Sequence, residues 1–272
     1  MWCVVALHIG TCGFSYRDWI GPFYPKGIAS LDMLPYYAER FDCVEIDSTY
    51  YAIPKPQLFE SMDRRTPAHF RFTVKAPGSI THLPATETPP KADAEAFAAA
   101  LEPIAANGKL GAVLAQFPHS FRPGPEADER LRWLRERWSA TALIAEFRHR
   151  SWQSDATMEL LHGLRIGWCN VDEPRFSSLM RPGADVTSSV GYVRLHGRNY
   201  GKWWRQERAA HERYDYLYSE QELVEWLPRI AAVEEQSREA YVFFNNHHLG
   251  KAPTNAQQLA TMLQKGRFQP DR

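Results

Sequence analysis

The chain has 272 residues, a formal net charge of +0, 24% charged residues and 4 cysteines. That balance removes any global electrostatic pull toward nucleic acid or an anionic membrane, and no run approaches the roughly 20 apolar residues of a membrane span. Cys3, Cys12, Cys43 and Cys169 show no CxxC spacing and read as buried reduced thiols in a cytoplasmic setting, while the opening MWCVVALHIG lacks the basic leader and cleavage site of a signal peptide.

In chain order, short apolar runs predict strands near 4–9, 43–47, 70–75, 111–117, 142–148, 166–172, 190–196 and 240–246. Between them, Ser30 is placed to cap a helix reaching about Phe41, with Leu31, Leu34, Ala38 and Phe41 on one side. The alanine-rich 91–106 reads as a helix stopped by Asn107-Gly108, and 125–138 carries Leu131, Leu134 and Trp138 at helical spacing. Residues 173–189, with Pro174, Pro182 and Gly183, hold at most a short helix, so the repeat weakens between strands six and seven. Ser219 and Glu222 form a capping box for a helix to about Gln236, kinked at Pro228, and a last helix runs from Thr254 to about Lys265. A β-α repeat eight strands long predicts a single α/β (β/α)8 TIM-like barrel over 1–272, a fold that takes roughly 250 residues and keeps its chemistry at the C-terminal strand ends.

Side chains alternate faces along a strand, so Glu45 and Asp47 share a face, as do Glu146 and Arg148, and Arg194 and His196. Val44, Ile46, Phe147, Val193 and Leu195 then point outward. With Lys75, Gln116, Asp172 and Asn245 or Asn246, this alternation gathers a mixed-charge set in the barrel mouth. Three chemistries fit that set. Glu45 and Glu146, with His196 and Asp172, suit acid/base catalysis of the hydrolase or lyase kind. Lys75, Arg148 and Arg194, with Gln116 and Asn245, suit a small polar, anionic or sugar-like ligand. The carboxylates with His196 form the third option, a divalent metal site, but interleaved cations, a lone strand-end histidine and the absence of HxH or HExxH point away from a tightly held metal. His247 and His248 follow strand eight, but adjacent side chains on an extended chain diverge. No cofactor is predicted: P-loop and dinucleotide fingerprints are absent, as is GxSxG.

Aromatic residues follow several strands: Tyr16 and Trp19, Tyr50 and Tyr51, Trp152, and Tyr200, Trp203 and Trp204. They suit a stacking rim for a sugar or base, or a lid. The 194–213 segment carries Arg194, Arg198, Lys202, Arg205, Arg208 and Arg213, a pattern that also fits nucleic acid. The functional expectation is an enzyme acting on a small anionic or sugar-like ligand. The alternatives are a nucleic-acid-binding or processing protein of the barrel-endonuclease kind, or a non-catalytic ligand-binding protein.

The segments IGTCGFSYRDWIGPFYP, VEIDSTYYAIP, FTVKAPGSITH, LAQFP, EFRHRSW, YVRLHGRN, RYDYLYS and FFNNHHLGKAPTNA together resemble the domain of unknown function 72, or YecE-like, family over about 8–265. The resemblance implies a TIM-barrel-like fold and a cytosolic bacterial-type protein, without a settled activity. Where the family often has Ser, Trp and Asn, this chain has Cys12, Phe14 and Asp47, which weakens Cys12 as a nucleophile and Asp47 beside Glu45.

Overall fold

The segment after each strand carries the chain back to the strand's starting end, so successive strands pair in parallel. The computed structural model of the protein, described over residues 6–201, 203 and 214–267, contains β1 (Ala6–Thr11), β2 (Cys43–Ile46), β3 (Arg71–Lys75), β4 (Leu110–Gln116), β5 (Leu143–Glu146), β6 (Ile166–Asp172), β7 (Val190–Leu195) and β8 (Glu239–Phe244). They form one eight-stranded parallel sheet in the order β1-β8-β7-β6-β5-β4-β3-β2, the predicted barrel. Positions 4 and 5 of the first predicted strand lie outside the described residues.

The barrel is nearly closed. Among the described residues, β1 and β2 meet through one isolated bridge, Cys12 to Glu45, with Gly13 N–H donating to Glu45 O at 2.7 Å. Beside it the Tyr37 hydroxyl, on helix α1 (Met33–Ala38), takes the place of a ladder bond: it accepts Thr11 N–H at 3.0 Å and donates to Cys43 O at 3.1 Å. A side chain at Gly10 would bring its Cβ within 2.4 Å of Cys43 O, so the close approach of the two strands requires glycine.

The remaining helices are α2 (Pro56–Arg64), α3 (Gly78–Thr81), α4 (Lys91–Ala106), α5 (Pro125–Arg137), α6 (Asp155–Leu164), α7 (Glu220–Val224), α8 (Leu227–Glu235) and α9 (Lys251–Arg267). The 91–106 helix and the Ser219–Glu222 capping box stand as predicted. Ser30 instead opens a short 3₁₀ turn, and its side chain caps nothing. Pro228 does not kink one long helix; it sits in the first turn of α8, where its fixed φ is favourable and its missing N–H costs nothing. No described helix lies between β6 and β7, and none is long and apolar enough to cross a membrane.

The alternation of the strands sets the packing. Val44, Ile46, Phe72, Val74, Phe147, Val193 and Leu195 are buried on the outer face, under the helices. Part of that layer is an aromatic stack in which Phe117 lies 4.2 Å from Phe121, and Phe147 4.0 Å from Trp152. Cys12, Cys43 and Cys169 are buried free thiols.

Candidate active site at the C-terminal strand ends

The inward positions of β2, β5 and β7 build the floor of the site. Arg194 on β7 reaches across the barrel, donating to Glu45 Oε1 at 2.6 Å and to Glu146 Oε2 at 2.5 Å. Tyr192, one inward step below, donates to Glu45 Oε2 at 2.7 Å, and its hydroxyl lies 2.8 Å from that of Thr73. Arg148 follows β5 and places Nε 2.7 Å from Glu146 Oε1 and Nη1 3.1 Å from Glu173 Oε2. Glu45, Glu146, Glu173 and Arg194 are almost completely buried. Charges removed from water in this way persist only when paired, as each of these is by an opposite charge within 3.1 Å.

Burial alone would raise the Glu146 carboxyl, but Arg148, Arg194 and His196 outweigh it and hold it well below the usual carboxylate range. His196 sits in the same floor with Nε2 3.3 Å from Glu146 Oε1. Its Nδ1 faces the Asn245 amide nitrogen at 3.0 Å, so Nδ1 accepts and Nε2 carries the proton. Burial, reinforced by Arg148, pushes its pKa down to about 3, leaving a neutral ring beside Glu146. Glu45 and Glu146 therefore converge as predicted but lie beneath the cavity, tied to Arg194.

Above this floor opens a cavity of about 350 Å³ lined by Tyr16, Asp47, Ser48, Tyr50, Tyr51, Lys75, Gln116, Arg148, Arg194, Tyr214, Asn245 and His247. A second cavity of about 340 Å³ shares Tyr50, Tyr51, Lys75, Gln116, Arg148 and Tyr214 and extends to His82, His119, Glu173 and Trp203. Among the described residues, Lys75 Nζ makes no hydrogen bond to the protein and rests 4.4 Å over the Tyr50 ring. Burial first, then Arg194, lowers its pKa to about 8. Burial raises Glu173 to about 7 against the pull of Arg148, and burial with Glu45 raises Asp47 against Lys75. Burial and Lys75 hold His82 near 4, so it stays neutral. Three groups around the cavity thus have pKa values moved toward neutrality.

The wall is aromatic and amide-rich. Tyr16 stacks on His247 at 4.6 Å and donates to Cys12 O at 3.0 Å. His248 turns away toward Asp18 at 3.8 Å, the divergence expected of adjacent residues. Gln116 donates to Phe117 O at 2.8 Å, leaving its amide oxygen for the cavity. No group of three or more His, Cys, Asp or Glu side chains suited to a metal ion occurs among the described residues.

Four predicted site residues lie elsewhere. Asp172 faces outward: β6 turns Cys169 and Glu173 to the axis, so Asp172 meets Arg198 Nε at 2.9 Å on the helix side. Glu173, which the sequence reading passed over, occupies the mouth in its place. Trp19 is buried and donates to His247 O at 2.6 Å from behind the wall, and Trp152 belongs to the outer aromatic stack. Tyr200 lies on the surface, half-exposed, accepting Arg175 N–H at 3.1 Å beside Phe176. Arg198 is engaged by Asp172, Glu222 and Glu225 and presents no free charge to a phosphate backbone. Lys202, Trp204, Arg205, Arg208 and Arg213 lie outside the described residues.

The family described as "Protein of unknown function DUF72" matches residues 8–271. YunF of Bacillus subtilis (strain 168), a UPF0759 protein, is 32% identical over 271 residues, covering 94% of each chain. YecE of Escherichia coli (strain K12) is 32% identical over 117 residues, or 43% of this chain and 39% of that one. A DUF72 crystal structure from Thermotoga maritima superposes with a TM-score of 0.88 at 40% identity, covering 95% of this chain and 99% of that one. A xylose isomerase domain containing protein from Salmonella typhimurium shares the fold, with a TM-score of 0.54 at 12% identity and coverage of 97% and 98%.

Proposed function

For a chain that belongs to the DUF72 family, we propose an enzyme that binds a small, oxygen-rich anion, such as a phosphorylated or carboxylated sugar or polyol, and moves protons on it. The observation that carries this reading is a pair of cations lining the cavity, Lys75 and Arg148, whose Nζ and Nη2 make no hydrogen bond to protein among the described residues. The Arg194 charge is balanced from below by two glutamates, so it shapes the floor rather than attracting ligand. Tyrosine hydroxyls and the amide oxygens of Gln116 and Asn245 supply the complementary acceptors and donors that a polyol needs.

Proton transfer falls to the groups that line the cavities, Lys75 at about 8, Glu173 at about 7 and Asp47, whose pKa burial raises, rather than to the glutamates tied to Arg194 beneath them. No metal is required by this donor set. Arg198 is engaged within the fold and Arg194 by the floor glutamates, so neither supports the nucleic-acid reading; Lys202, Arg205, Arg208 and Arg213 lie outside the described residues.

The test is binding of inorganic phosphate, aldonic acids and sugar phosphates by calorimetry, followed by product analysis of whatever binds. Lys75→Met removes a donor without orphaning a protein partner. It is expected to weaken anion binding 10- to 100-fold, from the roughly 1.5–3 kcal/mol of a charged hydrogen bond. Unchanged binding in that variant, or no binding by the parent protein, refutes the reading. Binding without turnover by any member would reduce it to a ligand-binding protein.

A further inference from the structure

Of the described lysines, Lys26, Lys55 and Lys265 are exposed, and Lys91 pairs with Glu95. Lys109 donates to Asp63 O and Thr66 O, and Lys251 pairs with Asp215. Lys75 differs from all of them. It sits at the C-terminal end of β3, on the wall of two adjoining cavities, with no hydrogen bond to the protein among the described residues. Arg148 lines both cavities beside it, and Asp47 lines the first. An amine held at a strand end, on a rigid element and beside other cations, has the placement of a nucleophile rather than of a structural charge.

Resting on the anion-binding reading above, we propose that Lys75 forms an imine with the carbonyl carbon of an anionic aldehyde or ketone whose charged group Arg148 receives. The neutral amine nitrogen attacks the carbonyl carbon, forming a C–N bond as the carbonyl oxygen takes up a proton. The resulting hydroxyl leaves as water with a second proton, one of the two being the amine's own. Amine, carbonyl and one proton thus become a protonated imine and water, with no oxidant or reductant. Asp47 is the acid placed to supply and recover protons. With its pKa lowered to about 8, an appreciable fraction of Lys75 is the free amine at neutral pH.

The test uses the full chain with dihydroxyacetone phosphate, glyceraldehyde 3-phosphate and pyruvate, each trapped with cyanoborohydride and read by intact mass and peptide mapping. The expected result is one adduct per chain, heavier by the probe less one oxygen, on the peptide containing Lys75. Inorganic phosphate should slow its formation. Lys75→Arg keeps the charge and should still bind the probe, but give no adduct, with an unchanged circular dichroism spectrum. Adducts scattered over the exposed lysines and unaltered in Lys75→Arg overturn the proposal. So does a probe that binds in the cavity and is not trapped, an outcome that leaves the anion-binding reading standing. Failure of all three probes and phosphate to bind removes both.

Discussion

Replacing Arg194 by Met removes a fully buried cation from between two buried carboxylates and leaves the volume filled. Glu146 keeps Arg148 at 2.7 Å and His196 at 3.3 Å, but among the described residues Glu45 loses its paired cation and keeps the Tyr192 hydroxyl at 2.7 Å and the Cys12 thiol, both neutral. The cost is therefore concentrated at Glu45. Breaking a buried pair by removing one partner costs about 3–5 kcal/mol, a large part of the ~5–15 kcal/mol by which domains are stable. Urea melts followed by tryptophan fluorescence measure it. Glu45→Gln in the native background should cost about 1–2 kcal/mol, because Arg194 keeps Glu146. In the Arg194→Met background the same change removes an unpaired charge and should recover roughly 2 kcal/mol. A cost for Arg194→Met below about 1 kcal/mol refutes the paired floor, as does a Glu45→Gln effect of the same sign and size in both backgrounds.

At the opposite end of the barrel, His8 is opposed by burial, but its contacts to Asp42 and Glu239 raise its pKa from 6.5 to about 9. Its stabilisation is fully present below about pH 6.5 and lost as pH rises through 9; discounted for the exposure of its partners it is worth roughly 2 kcal/mol, and His8→Gln should flatten the stability–pH curve between those values. Tyr37→Phe leaves Thr11 N–H and Cys43 O without their bridging hydroxyl and should cost about 1–3 kcal/mol in urea melts, while a neutral effect would mean that the β1–β2 gap closes without it. Asp172→Asn should lower stability through Arg198 and leave anion affinity in calorimetry unchanged, which separates the outer ion pair from the cavity.

The barrel was legible because each strand is a short apolar run and the spacing between runs suits a returning segment. Side-chain parity was readable on β2, β5 and β7, where VEID, AEFR and VRLH alternate charged with apolar residues and only one register buries the apolar set. On β6 the run WCNVDE is buried on both faces, so alternation carries no sign, and Asp172 and Glu173 could not be told apart. The rim aromatics failed for another reason. Trp19 and Trp152 follow strands as Tyr16 and Tyr50 do, but 3₁₀ turns at Arg17–Trp19 and Arg150–Trp152 fold these tryptophans back against the barrel wall. Ser48, His82, Tyr214 and His247 reach the cavities from loops and turns, where no periodicity exists to find them. The expectation that Glu45 and Glu146 act as acid and base rested on their convergence, which occurs; their depth and the claim of Arg194 on both are tertiary facts.

Glu45 has a double duty at the seam. Its carbonyl accepts Gly13 N–H across the gap between first and second strands, while its carboxylate anchors Arg194 under the cavity. The latch of the hoop and the keystone of the charge network are one residue. Prying the rolled sheet apart at that line disturbs the floor of the pocket, and tightening the floor holds the sheet shut. The protection of a single amide hydrogen, that of Gly13, against exchange with solvent deuterium then reports the integrity of the pocket, without a chromophore and without knowledge of the ligand.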